Sequence, residues 1–383
     1  DNREARMTDQ QTLLELRDIN LVYRAQPALR QLNWTLQSGQ HWACVGPNGS
    51  GKTSLARILS HQATHFSGSY HSSPQLLANG VAYVCFEQAQ ALCARDRKLD
   101  DSEYRADAAD PGTRVRDIIL DGKPADEQFQ AWITRLRIEH ILDRGLRYIS
   151  TGEMRKTLLV RALLSNPALL ILDSPLDGLD HASQQAMHSA IEALLEGQQS
   201  LLILCRQLED IPRGVDRVLV LDDGQVLCQG EPDAVMESAE VQQLLAPPLP
   251  PFTALPSPAP RPYQLPEGPL LELRDVGVRY GELTVLQQLN WRFDRHQHCC
   301  VSGPNGCGKT TLLSLITGDN HKAYGQDITL FGRKRGSGES IWEIKQKYGQ
   351  LDTQLQLNFA RSMKVVEVVV SGFFDSVGLF DDW

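Results

Sequence analysis

The chain has 383 residues, of which 42% are hydrophobic, and its formal net charge is −9 at pH 7. The length predicts two or three domains with ordinary hydrophobic cores, and no apolar run approaches the roughly 20 residues needed to span a bilayer. The acidic balance argues against general or sequence-specific nucleic-acid binding, because proteins of that class normally present a basic surface to the phosphates.

The N-terminus and the cysteines both indicate a cytosolic protein. Residues 1–10 are predicted to be disordered or non-native, with Met7 as the natural start, and they lack the apolar core of a signal peptide. The eight cysteines include no Cys-x-x-Cys pair, and Cys299 and Cys300 are adjacent at the end of a predicted strand. This pattern favours buried, reduced thiols over a disulfide framework, and no His or Cys has the spacing of metal ligands.

A phosphate-binding loop lies near the start of the predicted first domain, residues 11–245. It has the spacing Gly-x-x-x-x-Gly-Lys-[Ser/Thr] between an apolar strand at 42–45 and a predicted helix at 54–59. Its glycines let successive backbone N–H groups converge on phosphate oxygens. We expect Lys52 to reach the β- and γ-phosphates of a nucleotide and the Thr53 hydroxyl to bind Mg²⁺. The loop consists of Gly46, Pro47, Asn48, Gly49, Ser50, Gly51, Lys52 and Thr53.

Two later segments of the first domain carry side chains and backbone groups that could also bind a nucleotide phosphate or Mg²⁺. Ser150, Gly152 and Glu153 precede a predicted helix at 154–164, so a phosphate could bind at this helix N-terminus, although the same residues also suit an ordinary N-cap. An apolar stretch at 168–172 predicts a buried parallel strand that ends in Asp173. We expect the Asp173 carboxylate to hold Mg²⁺ from the side opposite to Thr53.

Residues 246–269 are rich in proline, which suits neither a helix interior nor a central strand. We interpret this segment as a semi-rigid linker rather than a ligand for small recognition domains.

The linker is followed by a second copy of the first domain, residues 270–383, at a constant offset of 257 residues. Residues 13–18 correspond to 270–275 and residues 31–34 to 288–291, which is typical of a duplicated domain. The second copy has its own phosphate-binding loop, in which Thr310 is expected to bind Mg²⁺. This loop consists of Gly303, Pro304, Asn305, Gly306, Cys307, Gly308, Lys309 and Thr310.

The order of these motifs resembles the nucleotide-binding domains of ABC ATPases over nearly the whole chain except the linker. The resemblance implies an α/β P-loop NTPase fold with a helical subdomain, duplicated, with the second copy partial. In that family residues 150–153 look like the signature sequence, Asp173 like the Walker B carboxylate and residues 179–180 like the D-loop. Tyr23 and Tyr280 look like the aromatic residues that stack on adenine.

Other parts of the family pattern have candidates here too. The glutamine that links nucleotide to partner in ABC ATPases has Gln88 as its candidate and Gln354 as its counterpart in the second copy, although exposed glutamines are also common on plain surfaces. The charged segment 95–110 lies where the family has its helical subdomain, and it is predicted to be a mobile, solvated insertion.

The resemblance also implies partners and ligands. Two such domains, of the same chain or of another copy, close face to face around two ATP molecules with Mg²⁺. Each ATP is held by the phosphate loop of one domain and the signature of the other. Residues 327–345 and 371–378 resemble those of a narrower group of bacterial tandem ATPases named for molybdate transport and photorepair.

The first site departs from the family at two positions. Ser174 stands where ABC ATPases carry the Glu that polarises the attacking water, and Arg206 stands where they carry the switch histidine. A serine hydroxyl is a poor general base at neutral pH, and an arginine cannot shuttle a proton. We therefore predict that the first site binds ATP and hydrolyses it poorly. The matching residues of the second copy are expected beyond Trp383, so the chain as it stands is predicted to be weakly active or inactive.

Two functions follow from the resemblance. The first is an energy-coupling ATPase subunit that drives an importer, in the narrower group a molybdate importer, through a separate membrane permease. Such a subunit works in the cytoplasm, peripheral to the cytoplasmic face of the inner membrane. The alternative is a stand-alone tandem ABC protein that acts in regulation, repair or translation. The proline-rich linker weakens the translation alternative, because tandem ABC factors of ribosomes have a long, charged, helical linker.

Overall fold

A computed structural model describes residues 11–98, 112–246, 267–280, 283–303, 307–351 and 363–374. It divides the chain into two units, residues 1–253 and 254–383. The predicted N-terminal segment 1–10 and most of the proline-rich linker lie outside the described residues, so the predicted domain bounds stay predictions.

The first unit alternates strands and helices around one large sheet. In chain order its elements are β1 (Thr12–Tyr23), β2 (Gln26–Gln37), β3 (His41–Val45), α1 (Lys52–Leu59), β4 (Ser67–Ser72), α2 (Pro74–Asn79), β5 (Val81–Val84), α3 (Phe86–Lys98), α4 (Val115–Leu120), α5 (Glu127–Arg135), α6 (Thr151–Leu163), β6 (Leu169–Asp173), α7 (His181–Glu196), β7 (Ser200–Cys205), β8 (Arg217–Asp222), β9 (Gln225–Gly230), α8 (Pro232–Met236) and α9 (Ala239–Leu245).

The large sheet has six strands in the order β5-β6-β7-β3-β8-β9. Neighbouring strands are parallel except β9, which runs antiparallel to β8. Alternate residues of β3 belong to different hydrophobic clusters, Ala43 to one and Trp42 and Cys44 to the other. Both faces of the sheet are therefore covered, which explains why β3 and β7 are buried along their whole length. The predicted α/β fold is confirmed.

A smaller antiparallel sheet has the order β2-β1-β4. Its β1–β2 hairpin turns through Arg24 and Ala25, which both have positive φ, at 46° and 67°. Tyr23 at the end of β1 pairs with Gln26 at the start of β2. The hairpin therefore places Tyr23 beside a tight turn.

The charged segment 95–110 is only partly described, and what is described corrects one prediction. Residues 95–98 belong to α3, and Asp96 is 5% exposed. Its carboxylate accepts hydrogen bonds from the Thr113 backbone N–H (2.9 Å) and from Arg147 Nε (2.8 Å). This part of the segment is thus not a solvated insertion, because it has a buried ion pair. Residues 99–110 lie outside the described residues.

The second unit repeats the start of the first. Its elements are β10 (Leu271–Tyr280), β11 (Leu283–Phe293), α10 (Lys309–Thr317), β12 (Asp327–Leu330), β13 (Arg333–Lys334), α11 (Ile341–Lys345) and α12 (Val365–Ser371), and the strands form one sheet in the order β11-β10-β12-β13. Leu273 pairs with Trp291 as Leu16 pairs with Trp34, so the hairpin register keeps the offset seen in the sequence.

The structure corrects the prediction that Cys299 and Cys300 are buried at the end of a strand. Both residues are exposed and lie outside any strand. In the first unit, β3 is buried because it is flanked by β7 and β8, and the described residues of the second unit include no strands that match these two. All eight cysteines are free thiols, and of these Cys44, Cys85 and Cys205 are buried.

The described residues also contain no helix with both the length and the apolar character that crossing a bilayer requires.

Candidate nucleotide-binding site

The first phosphate loop leaves the buried strand β3 and leads into α1, as the sequence predicts. A side chain at buried Gly46 would clash with the Leu221 backbone and lie 2.6 Å from Ser50 Oγ, so the loop packs directly against β8. Gly51 precedes α1 with a φ of +104°, a conformation that strains residues with a side chain. Asn48 and Gly49 are exposed at the loop tip, while Ser50 is buried below it. The exposed tip of the loop is therefore open to a phosphate group.

Lys52 folds back over this loop. Its Nζ donates to the carbonyl oxygens of Gly46 (2.5 Å) and Pro47 (3.0 Å). Burial lowers the pKa of the Lys52 ammonium, while the nearby Cys44 and Asp173 oppose that shift. The loop therefore carries a half-buried cation, which suits a polyphosphate.

Asp173 lies across from the loop at the end of β6. Its Oδ2 atom accepts hydrogen bonds from Thr53 Oγ1 (3.4 Å) and from the Tyr83 hydroxyl (2.8 Å). Burial and the Asp173 charge raise the pKa of Tyr83, so its phenol stays protonated and acts as the donor.

The Thr53 hydroxyl and the Asp173 carboxylate are the oxygen ligands that Mg²⁺ prefers. No group of three or more His, Cys, Asp or Glu among the described residues could hold a metal ion. A magnesium ion at Thr53 and Asp173 would therefore take its remaining ligands from phosphate oxygens and water.

The two positions that depart from the family pattern lie at the same edge of the sheet. Ser174 has a φ of 47°, its backbone N–H donates to the Leu204 carbonyl (3.0 Å), and its Oγ donates to Asp173 Oδ1 (3.3 Å). Arg206 forms an ion pair with Asp177 (Nε to Oδ2, 2.9 Å). Neither side chain is a carboxylate or an imidazole, so neither offers a base to an attacking water.

The signature-like residues form a separate cluster at the N-terminus of α6. Ser150 Oγ accepts from the Glu153 backbone N–H (3.2 Å), and a Glu153 carboxylate oxygen accepts from the Ser150 N–H (2.7 Å). This is a capping box, and Glu153 also contacts His140 Nε2 at 3.2 Å. Gly152 is buried in the first turn. The predicted helix start is confirmed, while its phosphate-binding role stays a prediction.

Two further residues of the first unit, Tyr23 and Gln88, are predicted to take part in the site. Tyr23 is 41% exposed at the end of β1, so its ring has a free face. Gln88 is half-buried in the first turn of α3, which follows β5.

The second phosphate loop is described only in part. Pro304, Asn305 and Gly306 lie outside the described residues, as does the side chain of Tyr280 at the end of β10, and Gln354 also lies outside them. Lys309 Nζ donates to the Gly303 carbonyl (2.8 Å), as Lys52 does to Gly46. Gly308 has a φ of 98° and precedes α10, Cys307 stands where the first loop has Ser50, and Thr310 is exposed.

Three residues near the site were missed by sequence reasoning. Tyr83 reaches Asp173 only because β5 and β6 pair side by side. Arg155 of α6 donates to the Ser174 carbonyl and stacks over the Phe86 ring at 5.9 Å, and Asp177 meets Arg206. Since all three contacts join distant segments, no local pattern in the sequence indicates them.

Comparison with known proteins agrees with the geometry. Residues 29–177 and 286–368 match the family described as ABC transporter. The chain belongs to this family. As an ABC protein it is an ATPase by class, and cassettes of this family bind ATP, generally with Mg²⁺, act as dimers and in many relatives work with membrane permeases.

Individual relatives show how far the similarity extends. The ABC transporter ATP-binding protein ModF of Escherichia coli is 36% identical over 350 residues, which are 90% of this chain and 71% of that protein. The zinc import ATP-binding protein ZnuC of Halorhodospira halophila is 30% identical over 244 residues, which are 63% of this chain and 86% of that protein. A solved ATP-binding cassette of an ABC transporter, MJ1267, superposes with a TM-score of 0.50 at 19% identity, over 61% of this chain and 98% of that one. This structural likeness supports the ABC fold.

Proposed function

We propose that the chain is an energy-coupling ATPase subunit whose first phosphate loop binds MgATP. The observation that carries this proposal is the 3.4 Å approach of Thr53 Oγ1 to Asp173 Oδ2, beside a loop covered by Lys52. In this assignment the loop N–H groups and Lys52 bind the phosphates, Thr53 and Asp173 hold Mg²⁺, and the exposed ring of Tyr23 stacks on adenine. Bound Mg²⁺ would neutralise charge on the phosphates.

The second loop is assigned the same role, with Lys309 on the phosphates and Thr310 on Mg²⁺. By the logic of the family, the Ser150–Glu153 cluster serves a nucleotide held by another ABC domain, of the same chain or of another copy. Gln88 is the proposed link to a partner subunit.

The first site is proposed to hydrolyse ATP poorly. The Ser174 hydroxyl donates a hydrogen bond to Asp173 and is a poor base at neutral pH, and the Arg206 guanidinium is already protonated and pairs with Asp177, so neither side chain can take a proton from water. The site would thus hold ATP for longer than a site that carries the usual Glu.

Lys52→Ala and Lys309→Ala, compared in the full chain, test these assignments. Each change removes the lysine of one loop, so each should remove binding of about one MgATP per chain in equilibrium dialysis. A Lys52→Ala chain that still binds as much MgATP as the unchanged chain would contradict the first site. If the Lys309→Ala chain kept most of the ATP turnover of the unchanged chain, the poor-hydrolysis proposal would be wrong.

Transport is proposed ahead of the stand-alone alternative because relatives at 30% identity or more include ATP-binding proteins of import systems. Molybdate as the cargo stays a prediction from the sequence resemblance, and the similarity to ZnuC makes zinc the competing cargo. Import of either cargo would place the chain at the cytoplasmic face of a membrane, against a permease. Affinity capture from solubilised membranes distinguishes the classes: a polytopic permease supports transport, whereas ribosomes or repair proteins support the alternative.

A further inference from the structure

A buried arginine in the second unit takes no part in the nucleotide sites proposed above. Arg335 follows β13 directly, and its backbone N–H donates to the Ile328 carbonyl (2.8 Å). Its side chain is 2% exposed. Arginine stays protonated inside proteins, so the burial of this side chain takes a full positive charge out of water. A charge in such a position normally requires an anionic partner and filled hydrogen bonds.

Glu339 offsets part of that charge without binding the guanidinium closely. The Arg335 Nη1 atom lies 3.6 Å from Glu339 Oε1, which is longer than a hydrogen bond. The Glu339 carboxylate instead accepts hydrogen bonds from the backbone N–H groups of Gly336 (2.8 Å) and Ser337 (3.0 Å) and from the Ser337 hydroxyl (3.1 Å). Burial would raise the pKa of Glu339, but the hydrogen bonds from Gly336 and Ser337 outweigh burial and lower the pKa. Glu339 therefore stays charged and is held by its own turn.

Two donors of Arg335 lie together on one edge of its guanidinium. Among the residues that the structure describes, none accepts a hydrogen bond from the buried Nε or Nη2 atom. Neighbouring N–H groups of this kind form the fork that binds two oxygens of one carboxylate or phosphate. The guanidinium carbon lies 5.4 Å from the centre of the Tyr324 ring, and such packing occupies the face of the guanidinium rather than its edge. The edge thus suits a ligand with paired acceptor oxygens.

Arg335 lines a small cleft whose charges also favour an anion. The cleft has an open volume of about 240 Å³, below the roughly 300–1,000 Å³ of sites for drug-sized ligands, so it suits a small ligand. Arg333 pairs with Glu343 at 3.3 Å, and Lys347 Nζ lies over the Phe331 ring at 5.6 Å. Three cations against two carboxylates leave a surplus of one positive charge. The lining consists of Leu330, Phe331, Arg333, Arg335, Glu339, Glu343, Ile344 and Lys347.

A tetrahedral oxyanion matches this cleft better than a carboxylate ligand does. Two of its four oxygens can accept the fork of Arg335, and the other two remain for the cationic groups of Arg333 and Lys347. A carboxylate would use both of its oxygens on the fork. It would also bring a single negative charge, whereas a dianion can interact with several cations at once.

We propose that the Arg335 cleft of the second unit binds a small tetrahedral oxyanion such as phosphate or sulfate. Nε and Nη2 of Arg335 hold two of its oxygens, and Arg333 and Lys347 attract the others. Glu343 competes with the anion for Arg333. None of the residues that line the cleft belongs to either phosphate loop, so this site is separate from the proposed nucleotide sites.

The test measures binding of radiolabelled phosphate and sulfate to the full chain by equilibrium dialysis at constant ionic strength. Lys52→Ala and Lys309→Ala are present throughout, because the phosphate loops also attract these ions. Arg335→Met should weaken binding at least about tenfold, since it removes two charge-assisted hydrogen bonds. Arg335→Lys keeps the charge but not the fork, so it should recover only part of the affinity. Unlabelled acetate should compete poorly.

Glu343→Gln tests the site without touching the buried arginine. The change removes an exposed carboxylate from the cleft and releases Arg333, so anion binding should tighten severalfold. Arg292→Met is the matched control for Arg335→Met. Arg292 lies in the same unit, in an exposed ion pair with Asp294 (3.0 Å) and outside the cleft lining, and its replacement should leave anion binding unchanged.

Urea denaturation separates a loss of binding from a loss of folding. Without the anion, Arg335 is a buried charge with unfilled donors, so Arg335→Met should leave the stability of the second unit unchanged or raise it. Added phosphate should stabilise the second unit when Arg335 is present and should have no such effect in Arg335→Met.

The outcomes decide the inference independently of nucleotide binding, because the loop lysines are replaced throughout. Equal binding with and without Arg335 would show that the ions bind elsewhere, and the absence of binding would show that water fills the buried donors. Either result overturns the proposal. Should Arg335→Met fail to fold, Glu343→Gln decides: tighter binding supports the site, and unchanged or weaker binding overturns it.

Discussion

At the scale of single residues, Asp173 connects several parts of the candidate site. Its two oxygens take hydrogen bonds from Thr53, Tyr83 and Ser174, which come from three different segments. A carboxylate held in this way is oriented before any metal ion arrives, and that reduces the ordering required on binding.

Tyr83→Phe tests how much the hydrogen bond from the Tyr83 phenol to Asp173 contributes to stability. The change removes the donor to Asp173 Oδ2 and keeps the ring, so we expect the free energy of unfolding to fall by about 1–2 kcal/mol. Urea denaturation measures the loss. Tyr70→Phe is the matched control, because the Tyr70 hydroxyl is buried with no hydrogen-bond partner and its removal should be neutral or stabilising. Equal losses in the two variants would show that the Asp173 contact adds no stability.

Asp96 predicts a dependence of stability on pH. Burial alone would raise its pKa, but hydrogen bonds from Thr113 and the charge of Arg147 outweigh burial and lower the pKa below its ordinary value. A lowered pKa means that the stabilisation is complete above the unfolded value of about 4 and is lost as the pH falls through the folded pKa. In Asp96→Asn the free energy of unfolding should be lower at pH 7 and should fall less on acidification. A fall in the free energy of unfolding on acidification that is as large in Asp96→Asn as in the unchanged chain would contradict the prediction.

At the scale of elements, the turn between β1 and β2 is a weak point of the hairpin that presents Tyr23. A two-residue turn with both φ angles positive favours Asn-Gly, whereas this chain has Arg24 and Ala25 there. Each residue with a side chain costs about 1 kcal/mol in that conformation.

Replacing Arg24 and Ala25 together by Asn and Gly should raise the free energy of unfolding by about 1 kcal/mol. The thermal midpoint of the first unit would report the gain. Gln26→Gly, one residue further on in extended β2, should instead lower stability by about 0.5–1 kcal/mol. A loss of stability in the Asn-Gly variant would show that Arg24 or Ala25 makes favourable contacts that outweigh its strain.

Several elements could be predicted from the sequence because their signals are local. The phosphate loop needs glycine at fixed positions, and the run before Asp173 is continuously apolar, so β3, α1 and β6 follow directly. The burial of Asp96 could not be predicted, since its partners Thr113 and Arg147 are brought to it only by folding. The exposure of Cys299 was missed for a related reason, because burial of a strand depends on neighbours that lie far away in sequence.

At the scale of the whole molecule, the two units differ in how well they shield their thiols. Cys44 and Cys85 of the first unit are buried, and burial raises their pKa values to about 12 and about 11. Cys299, Cys300 and Cys307 of the second unit are exposed. A thiol reacts through its thiolate and only when a reagent can reach it.

Brief treatment with a maleimide, followed by peptide mass spectrometry, should therefore label the three cysteines of the second unit first. Cys44, Cys85 and Cys205 should stay unlabelled until the chain is unfolded in concentrated guanidinium, which serves as the control for full reactivity. Early labelling of Cys44 would contradict the burial of β3.

The matched hairpins allow one unit to serve as an internal reference for the other. Glu15 faces Thr35 across the first hairpin, and Glu272 faces Arg292 across the second, while the apolar pairs beside them are Leu with Trp in both. The same backbone thus accepts two different residue pairs at one solvent-facing position, Glu with Thr and Glu with Arg. At the neighbouring inward position both hairpins have the same pair, Leu with Trp. Within one molecule, this separates the side chains that can be exchanged from those that the shape of the hairpin demands.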